Sequence, residues 1–308
     1  MTKRHKSRSG SLQFWPRKRA RKILPSANWA VLKKDNGLMG FICYKVGMIS
    51  VYARDLTEDS MTKTKKIVFP GTIVECPEMK IYSVRFYKNG KVMKDFVVGF
   101  DDELKRKVRN IKVVKKLEDV DFDDVRVIVY SDVKKTGIKK TPDLTEIGLM
   151  GDVEEKLNFV KENFVKEISI LDVFEGGQLV DLRGLTRGRG LSGPVKRFGI
   201  TLKSHKSEKG RRRPGSLGPW HPARVTFRVP QAGQLGMFTR VIYNNKIIGM
   251  GESQGKFKNF KNFGDIKTNY VIVSGSVQGA SKRQLIISSP LRETKKQSKK
   301  NYEFIEIR

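Results

Sequence analysis

A basic, glycine-rich segment in the middle of the chain limits most strongly what this sequence can fold into. Residues 183–240 contain fourteen Lys and Arg residues and a single acidic residue, Glu208. Ten glycines allow the backbone to approach a ligand closely, while the prolines disfavour a regular helix. The few apolar residues follow neither a helical nor a strand period, so the segment cannot bury a face of its own. We therefore expect a long irregular loop with a function, which we call the finger.

Positive charge also accumulates at the N-terminus. The whole chain has 63 Lys and Arg against 32 Asp and Glu, a net charge of +31. Residues 1–34 carry eleven basic residues and no acid, and residues 294–300 add a smaller basic cluster, whereas residues 101–162 are close to neutral. Self-repulsion on this scale disfavours a compact state unless a polyanion neutralises it, and nucleic acid and an anionic membrane are the two candidates.

A membrane partner is not expected. The most apolar stretch, residues 37–53, contains Lys45 and is shorter than the roughly 20 residues that a spanning helix needs. The basic N-terminus is not followed by an apolar stretch, so we predict no signal peptide. Cys43 and Cys76 lie far apart without a CxxC motif, which indicates neither a disulfide framework nor a zinc site. We expect both cysteines to be small core residues in a reducing compartment.

Short apolar runs between turn residues predict strands over most of the remaining chain. The predicted strands are 38–52 as a bent pair, 67–76, 81–87, 92–100, 125–130, 168–174, 178–182, 225–229, 241–250 with a turn at Asn244–Asn245, 270–274 and 285–288. Asn89–Gly90 is a strong hairpin signal between two of them. Helices are predicted at 102–110 and 152–163, the second with a capping pattern formed by Asp152 and Glu155.

Many short strands, with helices confined to the middle of the chain, predict a mainly β fold. We expect a closed antiparallel β-barrel with an inserted α/β region. The predicted divisions are a basic N-terminal extension (1–36), a barrel body (37–76, 165–182 and 241–308), an α/β insertion (77–164) and the finger (183–240).

The chemistry of the finger suits RNA. Arginine bonds phosphates bidentately and stacks on bases, and Phe198, Trp220 and Phe227 are candidate stacking faces. The alternative is a solvated basic loop that contacts nothing specific. A Trp is more often a core residue than a ligand contact, but Trp220 stands in a Gly-Pro-Trp-His-Pro turn without apolar partners. We expect it at the tip of the finger, packed on RNA or on its own loop.

One motif in the finger resembles a dinucleotide-binding fingerprint. Residues 188–193 match GxGxxG, and Glu208 follows at a suitable distance. The required helix is expected to be missing, because Pro194 and Gly199 bracket the place where it would run. His5, His205 and His221 lie in basic stretches, and no catalytic motif occurs. We predict that the chain is not an enzyme, with no small-molecule substrate, cofactor or metal.

Several separated motifs resemble one family. The finger, SGSLQFWPRKRARK (9–22), GFICYKVGM (40–48) and SGSVQGASKR (274–283) are together similar to the universal large-subunit ribosomal protein L3 family, in the family's order and over nearly the whole chain. The length, the N-terminal extension and the insertion look archaeal or eukaryotic-like, and the lack of a long C-terminal tail favours an archaeal type.

The resemblance implies a translation-protein-type β-barrel on the surface of the large subunit, with an extension that penetrates rRNA. It implies binding near the 3′ end of the large rRNA early in assembly, and a finger that reaches towards the peptidyl transferase centre without supplying catalytic groups. Trp220, in the family's tip motif at 218–223, would lie closest to that centre, and the family's basic-glycine turn falls at 186–190. The implied partners are large-subunit rRNA and neighbouring large-subunit ribosomal proteins, on cytoplasmic ribosomes.

Chemistry and resemblance together predict which residues bind rRNA. They are Arg17, Lys18, Arg19, Arg21, Arg187, Arg189, Lys196, Arg197, Lys203, His205, Lys206, Arg211, Arg212, Arg213, Trp220, His221, Arg224, Arg228 and Arg240. Two departures from the family pattern stand out. Gln231 replaces a common basic residue and so removes one expected phosphate contact, while Gln278 and Ala280 replace prolines, so we expect a looser loop there. The alternative function is a free-standing, non-specific RNA chaperone.

Overall fold

The computed structural model describes residues 11–32, 37–99, 101–108, 121–164 and 166–308. Contacts divide the described chain into two units. One combines residues 11–21 with residues 185–239, and we call it the basic unit. The other contains the described residues from 22 to 184 together with residues 240–308, and we call it the β unit.

The described chain is mainly β. Its strands are β1 (Gly37–Leu38), β2 (Gly40–Asp55), β3 (Lys66–Cys76), β4 (Met79–Lys88), β5 (Lys91–Val97), β6 (Asp124–Ser131), β7 (Leu144–Met150), β8 (Leu179–Leu185), β9 (Leu191–Ser192), β10 (Gly233–Gln234), β11 (Thr239–Glu252), β12 (Asn269–Ser274), β13 (Gln284–Ser288) and β14 (Tyr302–Ile307). Its helices are short: α1 (Val133–Thr136), α2 (Val153–Glu162), α3 (Pro194–Phe198), α4 (Lys295–Ser298), and 3₁₀ turns at Leu12–Phe14, Trp29–Val31, Asp102–Arg106 and Ile170–Asp172.

The larger sheet of the β unit has the strand order β13-β8-β11-β12-β3-β2-β14, and its registered pairs are antiparallel. Strand β13 pairs with both β8 and β2, so the pairing order of six strands returns to its start. Strand β2 was predicted as a bent pair, and that prediction is wrong. It is one continuous strand of 16 residues, because a β-bulge between Lys45 and Gly47 bends it without reversing the chain.

A second antiparallel sheet has the order β1-β7-β6-β4-β5, and four of its strands, β4 to β7, lie within the predicted α/β insertion. The hairpin predicted at Asn89–Gly90 is confirmed: both residues have positive φ, 50° and 72°, and they join β4 to β5. The predicted helix at 152–163 is confirmed as α2, with the capping box between Asp152 and Glu155. Phe100 and residues 109–110, the ends of a predicted strand and helix, lie outside the described residues.

Two apolar clusters fill the β unit. The larger one includes Phe41 and Trp29 and extends into the insertion, and the second is centred on Ile272. Cys43 and Cys76 are free thiols within the larger cluster, which confirms their predicted place in the core.

Four other element predictions need correction. Residues 168–174 contain the 3₁₀ turn Ile170–Asp172 and not a strand, because Ser169 and Asp172 build a capping box; Ile168 alone forms an antiparallel bridge, with Met79. Residues 225–229 form no strand; Phe227 is exposed there and no neighbouring strand pairs with it. Strand β11 does not turn back at Asn244, which has a φ of 56° and donates its N–H to Asp181 within a continuous strand.

The predicted helix at 102–110 is only the short 3₁₀ turn Asp102–Arg106 in the described residues. Strands β7 and β14 were missed.

Candidate nucleic-acid interface

Two backbone stretches of the basic unit pair to form a stem. Strands β9 and β10 are antiparallel, and beyond them Arg189 N–H donates to the carbonyl of Leu235 at 2.9 Å. Thr186 N–H likewise donates to Phe238 at 2.9 Å. Gly236 has a φ of +80°, and a Cβ there would lie 2.0 Å from the carbonyl oxygen of Arg187. Only glycine allows the two stretches to approach this closely.

The N-terminal segment packs onto this stem. Ala20 N–H donates to the carbonyl of Met237 at 2.9 Å. The Trp15 ring lies 5.2 Å from the Phe198 ring and meets Phe227 edge-on at 6.0 Å. Phe198 is buried, with 8% of its surface exposed, so its predicted role as a stacking face for bases is wrong. Its ring supports the stem from within the basic unit.

Arg17 and Arg197 connect the segments reciprocally. The Arg17 guanidinium lies over the Phe198 ring, 4.3 Å from its centroid, and donates to the carbonyl of Arg197. Arg197 donates in return to the carbonyls of Gln231 at 3.0 Å, Gln234 at 3.1 Å and Arg17 at 3.4 Å. Burial lowers the pKa of Arg197 below its ordinary value, but a guanidinium remains charged at any physiological pH. We refer to this pair as the arginine latch.

The latch depends on a second glycine. A Cβ at Gly233 would lie 2.8 Å from Nη1 of Arg197. The side chain of Arg197 therefore reaches the carbonyls of the opposite stretch only because this position carries no side chain.

A one-turn helix follows the GxGxxG motif, so the expectation of no helix at this place is wrong. Helix α3 begins with Pro194 in its first turn and ends at Gly199, whose φ is +66°. Proline is tolerated in a first turn, and glycine favours the left-handed C-cap. Pro194 and Gly199 were interpreted as residues that exclude a helix, but they also fit the two ends of a very short helix.

The distal part of the finger, residues 200–230, is irregular. Lys203 and Arg211 exchange hydrogen bonds, with the Lys203 N–H donating to the Arg211 carbonyl at 3.1 Å and Nε of Arg211 donating back at 3.2 Å. Arg212 and Arg213 are exposed. Trp220 is 80% exposed, so it does not pack against its own loop.

Acidic residues are too few to neutralise the basic unit. Residues 11–21 contain four Lys and Arg and residues 185–239 contain twelve, against the single acid Glu208. Most of the positive charge in this unit is therefore available to an external polyanion.

The structure brings together eighteen of the nineteen predicted rRNA-binding residues in the basic unit, and Arg240 belongs to the β unit. Three of the nineteen are half-buried: Arg17, Arg197 and Arg240. The exposed members are Lys18, Arg19, Arg21, Arg187, Arg189, Lys196, Lys203, His205, Lys206, Arg211, Arg212, Arg213, Trp220, His221, Arg224 and Arg228. Sequence reasoning did not identify Trp15 as a support of the stem, although its position two residues before Arg17 was a usable signal.

The described residues contain neither a metal-binding cluster nor a membrane-spanning helix. Within those residues, no group of three or more His, Cys, Asp or Glu side chains could hold a metal ion. No helix in the described ranges is long and apolar enough to cross a membrane.

Comparison with known proteins supports the resemblance seen in the motifs. The family described as Ribosomal protein L3 matches residues 1–307. The chain belongs to the ribosomal protein L3 family. Members of the L3 family are structural ribosomal proteins and not enzymes, which confirms that the chain is not an enzyme.

Archaeal relatives in the L3 family match nearly end to end, which confirms the predicted archaeal type. A protein of Methanosphaera stadtmanae is 36% identical over 96% of this chain and 95% of its own length. A protein of Methanococcus vannielii is 37% identical over 94% and 92%, and one of Archaeoglobus fulgidus is 37% identical over 95% and 94%. Each is described as large ribosomal subunit protein uL3.

One departure from the L3-family pattern has an unexpected structural consequence. The side-chain amide of Gln278 donates to the carbonyls of Leu182 at 3.0 Å and Arg240 at 3.1 Å, and so ties β8 to β11. The expectation of a looser loop at this position is therefore wrong, because two amide hydrogen bonds hold the loop where a proline ring was expected.

Proposed function

We propose that this chain is a structural constituent of the large ribosomal subunit and that its basic unit binds large-subunit rRNA. One observation carries the proposal: sixteen Lys and Arg residues share a single folded unit with one acid, and most of their side chains are exposed. Burying such a surface against protein would leave its charges unpaired, whereas RNA supplies one phosphate per nucleotide.

The stem and the distal finger have different tasks in this proposal. The arginine latch, the Trp15–Phe198 contact and the β9–β10 pairing fix the base of the finger before RNA is bound. Arg211, Arg212 and Arg213 lie beyond the stem, where exposed guanidinium groups can pair with phosphates bidentately. A preformed base lowers the entropy that RNA binding must offset, so most of the ordering is confined to residues 200–230.

The β unit forms the body of the protein. We propose that its six-strand pairing cycle is a closed, translation-protein-type β-barrel on the subunit surface, with residues 77–164 as the α/β insertion and residues 1–36 and 183–240 as the rRNA-penetrating extensions. Neighbouring large-subunit proteins would contact this body on cytoplasmic ribosomes. The family match and the large-subunit names of the relatives support this placement.

The finger would serve positioning and not chemistry. We propose that the protein binds near the 3′ end of the large rRNA, assists early assembly and directs Trp220 towards the peptidyl transferase centre. An indole that is 80% exposed on a Gly-Pro-Trp-His-Pro turn can stack on a base, which contributes about 1–3 kcal/mol per contact.

Salt-dependent RNA binding tests the proposal. Replacing Arg211, Arg212 and Arg213 by Ala should flatten the dependence of log K on log salt by about 0.7–0.9 per lost phosphate contact. The matched control replaces Lys88, Lys105 and Lys134 by Ala, since carboxylates of the insertion already pair with these lysines. Equal slopes for both variants and the wild type would show that the three arginines do not bind RNA.

Sedimentation of a cell lysate separates the two functions. A structural constituent should co-sediment at one copy per large subunit. A non-specific RNA chaperone would instead remain mostly in light fractions, and that result would contradict the ribosomal proposal.

A further inference from the structure

A second basic surface lies on the β unit, in the loop between β11 and β12. Residues 253–268 read SQGKFKNFKNFGDIKT, and we call them the KF loop. Phenylalanines recur at every third position, 257, 260 and 263. Lys256 and Lys258 flank the first of them, Lys261 follows the second, and Lys267 stands near the end of the loop. None of these lysines belongs to the predicted rRNA-binding set.

The phenylalanines anchor the KF loop to the β unit. Phe257 meets Tyr270 edge-on, with ring centroids 4.6 Å apart. Phe263 and Ile266 are buried in the second apolar cluster, and Phe260 packs against that cluster in a half-buried position. The apolar side chains of the loop are therefore used internally.

Hydrogen bonds hold the backbone of the KF loop in one conformation. Ser253 Oγ donates to the carbonyl of Ile266 at 2.6 Å, and Ile266 N–H donates to Phe257 at 3.0 Å. Phe260 and Gly264 form an antiparallel bridge at the turn. Asn259 has a left-handed φ of 60°, and its N–H donates to Asp265 at 2.8 Å. A loop fixed in this way loses little backbone entropy when it binds a partner.

The charge of three of the four KF-loop lysines is not neutralised by an ion pair within the residues that the structure describes. Lys256, Lys258 and Lys261 are exposed, and none of them forms an ion pair with any residue that the structure describes. Asp265, the one acid of the loop, accepts a backbone N–H instead. Exposed lysines of the insertion differ: Lys105 lies 2.7 Å from Asp102, and Lys134 lies 2.9 Å from Glu103.

We infer that the KF loop is a second RNA-binding surface, in which Lys256, Lys258 and Lys261 contact phosphates of the large-subunit rRNA. The inference rests on the proposed function of the basic unit. RNA fits better than an acidic protein because a protein interface normally has an apolar core, and the loop turns its phenylalanines inward. Its exposed side chains are mostly lysine and amide groups, with Asp265 as the one exposed acid, and such a surface suits a phosphate backbone.

The test is a triple substitution in the full chain, Lys256→Gln, Lys258→Gln and Lys261→Gln. The probe is an in vitro transcript of the 3′-terminal domain of an archaeal large-subunit rRNA. The slope of log K against log salt should fall by about 2, since each lost phosphate contact removes about 0.7–0.9. The control is Lys88→Gln, Lys105→Gln and Lys134→Gln, which removes the same charge from lysines that are already paired. Both variants should melt within a degree or two of the wild type, because five of the six side chains are exposed and Lys88 is half-buried.

Three further outcomes decide the inference. If the KF-loop variant keeps the control's slope while the Arg211, Arg212 and Arg213 variant lowers it, the inference is wrong and the proposed function stands. If neither variant lowers the slope, the proposed function fails as well. If the KF-loop variant keeps the slope but enters large subunits poorly, the loop contacts a protein and the RNA assignment is overturned.

Discussion

The predicted α/β insertion (residues 77–164) and the basic unit contain the same types of charged residue. In the insertion the positive charges are paired with carboxylates, whereas in the basic unit most of them are not. In the insertion, cations face carboxylates: Glu146 accepts hydrogen bonds from Arg85 at 2.9 Å, Arg126 at 3.0 Å and Tyr87 at 2.8 Å. Residues 11–21 and 185–239 of the basic unit contain sixteen Lys and Arg residues and a single acid, Glu208. The comparison teaches that the placement of acids, more than the number of bases, distinguishes a solvated ionic surface from a polyanion-binding one.

Different interactions hold the two regions together. The insertion shares the large apolar cluster of the β unit, in which side chains such as Phe96 and Ile147 are buried. The basic unit relies on one stacked group of rings and guanidinium groups around Phe198. We therefore expect the two units to respond separately to substitutions.

Removing the Phe198 ring should have the largest effect. Phe198→Ala deletes the ring between Trp15 and Arg17 and should lower the local opening free energy of residues 185–239 by about 3 kcal/mol. Peptide-resolved hydrogen exchange measures this local opening free energy. Phe227→Ala, at a ring that is 68% exposed, is the control and should cost much less. An equal loss of protection in β2 and β3 would mean that the two units unfold together.

Tyr44→Phe should destabilise the β unit by about 2 kcal/mol. The Tyr44 hydroxyl donates to the buried Asp143 carboxylate at 2.6 Å and contacts Ser131 Oγ at 2.7 Å, so its loss leaves buried polar groups unsatisfied. Burial, followed by the charge of Asp143, holds the pKa of Tyr44 well above its ordinary value. Urea unfolding followed through the β unit gives the free energy. Tyr52→Phe, which removes a hydroxyl that accepts a hydrogen bond from the exposed Arg308 at 3.2 Å, should cost little.

Acid should weaken the β unit and leave the basic unit largely unaffected. A hydrogen bond from Lys135 is the main reason that the pKa of Glu167 falls from 4.5 to about 2. A carboxyl whose pKa is depressed on folding adds stability above its ordinary pKa, and that stability disappears as the pH falls from 4.5 to about 2. The stability difference between wild type and Glu167→Gln should shrink over this range. A constant difference would show that the negative charge of Glu167 does not stabilise the folded β unit.

Trp220→Ala should have the smallest effect on stability. An indole that is 80% exposed buries little surface, so thermal unfolding of both units should change by less than about 0.5 kcal/mol. Translation elongation or antibiotic sensitivity should nevertheless change if the finger reaches the peptidyl transferase centre. A large loss of stability would identify Trp220 as a structural residue and remove it from the proposed interface.

The sequence predicted the features that depend on local chemistry. Asn89–Gly90 specified its hairpin because both positions need positive φ, and Asp152 with Glu155 specified the start of α2. The bend of β2 and the continuity of β11 could not be predicted, since a bulge and a turn share the same residue types.

The supports of the candidate interface were also beyond sequence reasoning. Arg17 and Arg197 were interpreted only as phosphate ligands, but their hydrogen bonds go to carbonyls across the arginine latch. Nothing local reveals such a contact, because the two residues are 180 positions apart. Which of the remaining basic side chains touch RNA stays a prediction.

The two halves of the arginine latch are synthesised at different times. Its N-terminal half leaves the translating ribosome first, yet Gln231 and Gln234, which bind Arg197, follow more than 200 residues later. At about 5–20 residues per second, residues 11–21 wait for roughly 10–40 s before their partners exist. Throughout that interval the basic N-terminal segment of the nascent chain lacks the stem against which it packs in the folded protein.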